Sequence, residues 1–432
     1  MPGLNLPFAP DTRRVRRDGL PPVREFRAEI CVVGAGIAGT SAAIEAARLG
    51  RKTVVVDGLP ALGGQAVNGI IGMFCGLFGN GTHGPQFTHG IADDILRDLG
   101  AEDALHYRRA HTTVVMYDDV ALARWVERTI VKEGVIPLVG AILRNVNLDG
   151  RRIASLDFAT RYGDVRIVAD GFIDASGDAA LTWQAGLACQ EQADGVIYGS
   201  QMMVIEGVDE AQAPTWDEMG LRIRERGEHY GLIRRDGFAA AFPGRGIAVV
   251  NMNHVETPLD PFGATAKGLE GREQADRTMQ FLKGEFPAAY GNTRVRALGL
   301  PGVRQTRWIV GKHHLTADEV RAGTKFPDSI ARTAWPLEQH HNAEGYVWEP
   351  FSEDHVHYVP FASLTPVDAD NIVAAGRCID ADSAALSSVR VMGPCIAMGA
   401  AAAHALDLAG TGSVHDIDMA ALRRRVAAND DG

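Results

Sequence analysis

The chain has little of what marks a secreted, membrane-spanning or nucleic-acid-binding protein. Only five cysteines occur in 432 residues, at positions 31, 75, 189, 378 and 395. Their odd number, wide scatter and lack of any CxxC pair argue against a disulfide framework and against a cysteine zinc site, and make the cytoplasm the natural compartment. No apolar run reaches the roughly 18 residues of a membrane span. Positive charge is also short: the formal net charge is -11, whereas nucleic-acid backbones are bound by clustered cations. Arg13, Arg14, Arg16 and Arg17 form the one basic cluster near the N-terminus, but no free apolar stretch follows them. Residues 1–27 therefore read as an irregular arm rather than a targeting signal. A chain of this length is expected to form two domains, or one large domain carrying an insertion, and to act on small molecules.

What is present is a nucleotide site at the front. "AEICVVGAGIAGTSAAIEAARLGRKTVVVDG" begins with a β-branched run, turns through glycines, becomes an alanine-rich helical stretch, and ends in a second valine-rich run closed by an acid. Gly34, Gly36 and Gly39 make G-x-G-x-x-G in the strand-to-helix context that the motif requires. The first permits the tight turn, the second lets a pyrophosphate approach the backbone beside Ala38, and the third lets helix pack on strand. The helix start then offers unpaired N–H groups to phosphates. Asp57, followed by Gly58, closes the second strand where a carboxylate accepts bonds from ribose hydroxyls. The doublet Gly63–Gly64, before Gln65, lets a second stretch of backbone lie against a ligand longer than NAD.

The pairing of VVGAGIAG with D-x5-GG resembles the FAD-binding fold shared by glutathione reductase and fumarate reductase flavoproteins. Three later segments, "DGFIDASGDAALTWQAG" (170–186), "GVRQTRWIVGKHHLTADEV" (302–320) and "VPFASLTPVDADNIVAAGRCIDADSAALSSVRVMGPCIAMGAAAAHA" (359–405), resemble the FAD-dependent oxidoreductase family. The resemblance runs from about residue 28 to 410. It implies an α/β, Rossmann-like FAD-binding domain (GR2-type), split in sequence over 28–186 and 359–415. An inserted α+β substrate or cap region over 187–358 and a C-terminal tail over 416–432 complete the expected organisation. The resemblance also implies noncovalent FAD held by Ser176, Gly177 and Asp178 at a turn near the pyrophosphate, by Gly376 and Arg377, and by the helix start at Gly393, Pro394, Cys395 and Ile396. That helix start would face the flavin with its partial positive charge. "GVIPLVGAILRNVNLDG" (134–150) reads as a strand pair near the adenine, with the Ile142 backbone as its contact. Covalent attachment through Cys75, His83 or His89 is the less common alternative.

No second nucleotide unit and no cysteine redox pair appear, so FAD is expected to exchange electrons directly with a small-molecule substrate and with an acceptor that the sequence leaves open: O2, a quinone or a protein. The expected reaction is hydride transfer between substrate and flavin N5, by a dehydrogenase or oxidase. A reductase of activated double bonds fed by a partner is the alternative, and redox-neutral or structural use of FAD is an alternative of another class. No nucleic-acid partner is expected, and homo-oligomerisation stays open. Histidines are the natural bases near neutral pH. His313 and His314 lie between a strand and the helix started by the Thr316–Glu319 capping box, and are the first candidates. Arg304 and Arg307 either clamp a substrate carboxylate or hold the inserted region in place. Tyr358 and Arg390 complete the candidate catalytic set. His355 and His357, with Glu349 and Glu353, allow a metal reading, but none is favoured. "NGIIGMFCGLFGNGTHG" (68–84) reads as a glycine-jointed loop whose Met73, Phe74 and Phe78 wall the active site.

Overall fold

The computed structural model describes Arg14, Arg16, residues 23–193 and residues 195–430. Most of the expected arm, including Arg13 and Arg17, lies outside them. Its last part is not irregular: Arg24–Arg27 form a strand parallel to Gly163–Val168.

The centre is a five-stranded sheet in the order Ile372–Ala374, Gly171–Asp174, Ile30–Val33, Thr53–Asp57, Ile136–Val139, with every neighbour pair parallel. Its inner strands are continuous apolar runs because both faces are covered. One face carries the helices Ile37–Arg48 and Met392–Ala409, around Val32, Val55, Ile173 and Val373. The other carries a second sheet, ordered Arg24–Arg27, Gly163–Val168, Arg152–Thr160, Ile142–Asp149, through Val54, Leu156, Ile167 and Phe172. The expected strand pair at 134–150 is thus two strands in two sheets: Ile136–Val139 joins Thr53–Asp57, while Ile142–Asp149 turns away to pair with Arg152–Thr160.

The region between the nucleotide segments has a four-stranded antiparallel sheet, ordered Phe238–Phe242, Ile247–Asn251, Met203–Glu206, Arg294–Leu298. The helix Pro261–Glu285, started by Asp260 accepting from Gly263 N, packs with it over Met203, Ile205, Phe281 and Leu282. The chain then returns to the parallel sheet. Residues 416–430 are no loose tail. They include the helices Met419–Arg425 and Ala427–Asp430, and Asn429 Oδ1 accepts from His89 N at 2.7 Å.

The Met392–Ala409 helix is the one described helix long and apolar enough to cross a membrane, and 78% of it is buried inside the protein. It is a core helix, and its contact with Ile37–Arg48 is backbone on backbone. A Cβ at Gly399 would lie 2.2 Å from Ala38 O, and Ser41 Oγ donates to Ile396 O at 2.8 Å. Two such backbones cannot shift independently, so Gly399→Ala should destabilise by about 1–3 kcal/mol. Gly100, at the exposed end of another helix, has no atom within 4 Å of an added Cβ, and Gly100→Ala should be neutral or slightly stabilising. Thermal unfolding of the two variants checks this contrast.

Candidate active site

The carboxyl ends of the parallel strands bring the predicted nucleotide segments together. Gly34 has φ +101, and a Cβ there would lie 2.3 Å from Ala175 O. At Gly39 a Cβ would lie 1.8 Å from Gly34 O, and at Gly64 it would lie 2.5 Å from Gly36 Cα. The strand ends, the helix start and the Gly63–Gly64 turn are therefore in direct backbone contact. Gln65 follows in the short helix Gly64–Asn68.

The residues fit a dinucleotide. Gly36 caps the first helix without a side-chain bond, and its first turn holds no acid, so the N–H groups there stay available to phosphate oxygens. Asp57 accepts from Ala35 N at 2.7 Å and from Leu59 N at 2.8 Å, one bond per oxygen, leaving each a second acceptor site for hydroxyls. Ile142 is exposed, and its side chain lies 3.2 Å from where a Gly58 Cβ would sit. Asp174, buried at the end of its strand, accepts from Ser176 Oγ at 2.6 Å and from Thr182 N at 2.9 Å, and this shapes the Ser176–Asp178 turn. Burial outweighs those bonds and raises its pKa. Arg377 Nη2 donates to Asp178 Oδ1 at 2.6 Å over Gly177. Burial pushes Asp178 up, but the Arg377 charge and the Thr306 hydrogen bond bring its carboxyl below the usual range. Gly376 faces Ala38 and Cys395.

The start of the Met392–Ala409 helix, through Gly393, Pro394, Cys395 and Ile396, has no side-chain cap. The 68–84 loop reaches it by backbone: Gly393 N donates to Cys75 O at 2.9 Å, and a Cβ at Gly393 would lie 2.2 Å from Gly76 O. Its apolar side chains are packed into the protein. Phe74 packs on Tyr117 at 4.5 Å, Met73 packs with Phe242 and Trp335, and Phe78 is buried beside Tyr107. Cys75 is near Glu338 and Arg390, and burial raises its thiol pKa. His83 bonds Thr82 and His89 bonds Asp93.

Just before that helix start, a cavity of about 290 Å³ is lined by Gln305, Glu338, His340, Ser383, Ser387 and Arg390, among others. Cys395 Sγ donates to Arg390 O at 3.2 Å, joining the cavity rim to the helix. Of the predicted catalytic residues, Arg390 lines it, and Arg304 lies outside the lining but near enough for its charge to act on Glu338. Arg304 donates to Tyr198 O at 2.7 Å and to Ser200 Oγ at 3.1 Å. Burial, then the Arg390 charge, pulls its pKa down to about 9.

The others do not line this cavity. Arg307 pairs with Glu191 at 2.8 Å and lies 4.3 Å over the Trp183 ring. His313 bonds Glu319 at 3.1 Å, and exposed His314 bonds Asp380 at 2.7 Å. Lys325 sits over the Tyr358 ring. His355 and His357 bond each other at 3.1 Å, and Glu349 is tied to Arg321 rather than to a histidine.

Sequence reasoning missed a chain of three polar groups. His340 Nε2 is 2.8 Å from Glu338 Oε1, His340 Nδ1 is 3.0 Å from His254 Nε2, and His254 Nδ1 is 3.0 Å from Ala343 O. Its signal was Glu338 and His340 two apart on the strand Leu337–Asn342, hence on one face. Burial, then Arg234, pulls His254 to about 2, and burial, then Arg304, pulls His340 to about 3. Burial pushes Glu338 up, but the His340 hydrogen bond and the charges of Arg390 and Arg304 bring its carboxyl below the usual range. At neutral pH two neutral rings and a carboxylate therefore bring two protons to three hydrogen-bond positions. A carbonyl only accepts, so His254 keeps its hydrogen on Nδ1. One position between Glu338 and His254 is left without a proton.

A family model described as FAD dependent oxidoreductase matches residues 29–426. The chain belongs to the FAD dependent oxidoreductase family. FAD is its cofactor, and the strand-end cradle just described is where its residues fit that group. Among solved structures the chain is similar to a geranylgeranyl bacteriochlorophyll reductase-like protein from Thermoplasma acidophilum, at 14% identity over 93% of this chain and 82% of that one, TM-score 0.49. It is also similar to a probable FAD-dependent monooxygenase from Pseudomonas aeruginosa, at 15% identity over 94% of this chain and 93% of that one, TM-score 0.43. No curated protein matches.

Gly36 has φ -68, open to any residue, and an added Cβ meets only Gly64 Cα, at 4.0 Å. Gly36→Ala should therefore leave apoprotein stability unchanged while weakening FAD binding by about tenfold or more, because the methyl stands where the pyrophosphate approaches. Fluorescence titration of apoprotein with FAD, alongside thermal unfolding, checks both halves.

Proposed function

We propose that this FAD-dependent oxidoreductase takes a hydride from a small organic substrate, as a dehydrogenase or oxidase, with the substrate in the cavity between Arg390 and Glu338. Bound FAD supplies the two-electron acceptor. The observation carrying this reading is the juxtaposition of that cavity with the uncapped start of the Met392–Ala409 helix.

The protein's own part is to hold the substrate and receive its proton. Arg390 presents donors to the cavity, and Arg304 behind it adds positive charge. Glu338 and His340 line the same space and lead to His254. The position left without a proton is a buried unmade hydrogen bond, which costs roughly 1–3 kcal/mol. A proton released from a substrate hydroxyl or amine passes through it only in transit, because rings held at about 2 and 3 are weak bases that do not keep it at neutral pH. Their closeness to Arg304 and Arg390 keeps the proton from being held too tightly, and it can leave again after turnover.

Anaerobic mixing with a metabolite panel, followed by bleaching of the flavin absorbance, identifies the reductant. With that substrate, Glu338→Gln and His340→Asn should slow bleaching by about 10²–10⁴-fold, while His313→Ala and His314→Ala should leave it unchanged. Retention of wild-type rates in both cavity variants would reject the assignment. Because burial sets His254 and His340 at about 2 and 3, the rate should show no histidine inflection between about pH 5 and pH 9.

A further inference from the structure

We infer that the cavity is built for a substrate carrying one carboxylate, held by Arg390 and the side-chain amide of Gln305. This rests on the reading of the cavity as the substrate chamber and names the chemistry of what enters it.

Two independent observations point to a ligand with acceptor oxygens and a single negative charge. Gln305 is 6% exposed, and its Nε2 has no hydrogen-bond partner among the described residues, although the side chain lines the cavity. A buried amide donor left unpaired is costly unless something supplies an acceptor. The second observation is charge. Arg234 is taken up by Asp236. Arg304 and Arg390 then share one carboxylate, Glu338, and neither makes an ion pair within 4 Å among the described residues. The Arg304 guanidinium donates only to neutral oxygens among the described residues, and the one bond given there by the Arg390 guanidinium runs to the Glu338 backbone carbonyl at a long 3.4 Å.

Glu338 does not compete for that role. Its oxygens accept from Trp335 Nε1 at 3.1 Å and meet His340 at 2.8 Å. One positive charge is left uncompensated, together with the donors of a largely unengaged guanidinium. A carboxylate matches that fork with two parallel bonds and carries one charge. A phosphate monoester brings nearly two charges and three oxygens, more than this site balances. A cavity of about 290 Å³ lies near the lower end of ligand-pocket sizes, roughly 300–1,000 Å³, which suits a small acid.

The test uses the oxidised, FAD-loaded protein with benzoate, benzamide, benzyl alcohol and inorganic phosphate as probes, read by perturbation of the flavin absorbance and by tryptophan fluorescence. Benzoate should bind about tenfold or more tighter than the amide and the alcohol, and phosphate should not displace it. Arg390→Gln and Gln305→Leu should each weaken benzoate by about tenfold. Gln305→Leu should also raise Tm, because it removes a buried unpaired donor; a merely structural glutamine would lower it. Equal affinity for all three aromatic probes, tighter binding of phosphate, or indifference of benzoate to both substitutions would overturn the inference. Carboxylate binding without flavin bleaching by any oxidisable acid would instead remove the hydride-transfer reading and leave this one standing.

Discussion

The structure depends on a backbone contact with no room in it. Where the first strand meets the first helix, Gly34, Gly36 and Gly39 lie against Ala175, Gly64 and one another at distances that no Cβ tolerates at Gly34, Gly39 or Gly64. The Met392–Ala409 helix closes on the same helix at Gly399. This packing joins residues near the two ends of the chain into one cradle, and the long segment between them becomes the cover. The cavity follows from that arrangement. Arg390 stands just before the Met392–Ala409 helix, and the Glu338 strand comes from the covering segment.

The cavity's electrostatics are a balance among groups that burial would otherwise neutralise. Arg304 is lowered to about 9, and Glu338 stays ionised only because His340 and two arginines surround it. Arginine suits such a place because it remains protonated even when desolvated. The histidines go the other way: burial beside cations keeps both rings neutral. A cluster with more donors than acceptors on one side and one proton too few on the other suits the proposed reaction, in which an acid is bound and its proton is passed on.

The cradle was legible in the sequence because its chemistry is local. Three glycines at fixed spacing, an acid closing the next strand and a Gly-Gly turn are constraints on neighbouring backbone, and the later segments repeat them with Gly177 and Gly376. The cavity was not legible, because Gln305, Glu338, His340 and Arg390 are brought together only by tertiary folding. His313 and His314 drew notice as a doublet beside a capping box, but each stands next to a carboxylate, Glu319 or Asp380, that engages it away from the cavity. Met73 and Phe74 were read as a wall because a glycine loop leaves its apolar residues unassigned; a short strand pairing with Thr113–Tyr117 turns them into cores. The segment 416–430 looked like a tail because its polar residues hide a cap, Asp418, and a buried pair, Asn429 and Asp430.

The central claim is that the reactive edge of the cofactor meets the cavity between Arg390 and Glu338. A crystal structure of the FAD-bound protein tests it most directly. The account predicts the isoalloxazine ring at the start of the Met392–Ala409 helix, with its reacting edge open to Arg390, Glu338 and His340. A ring directed toward His313 and His314, with the Arg390 cavity closed off from it, would contradict the account.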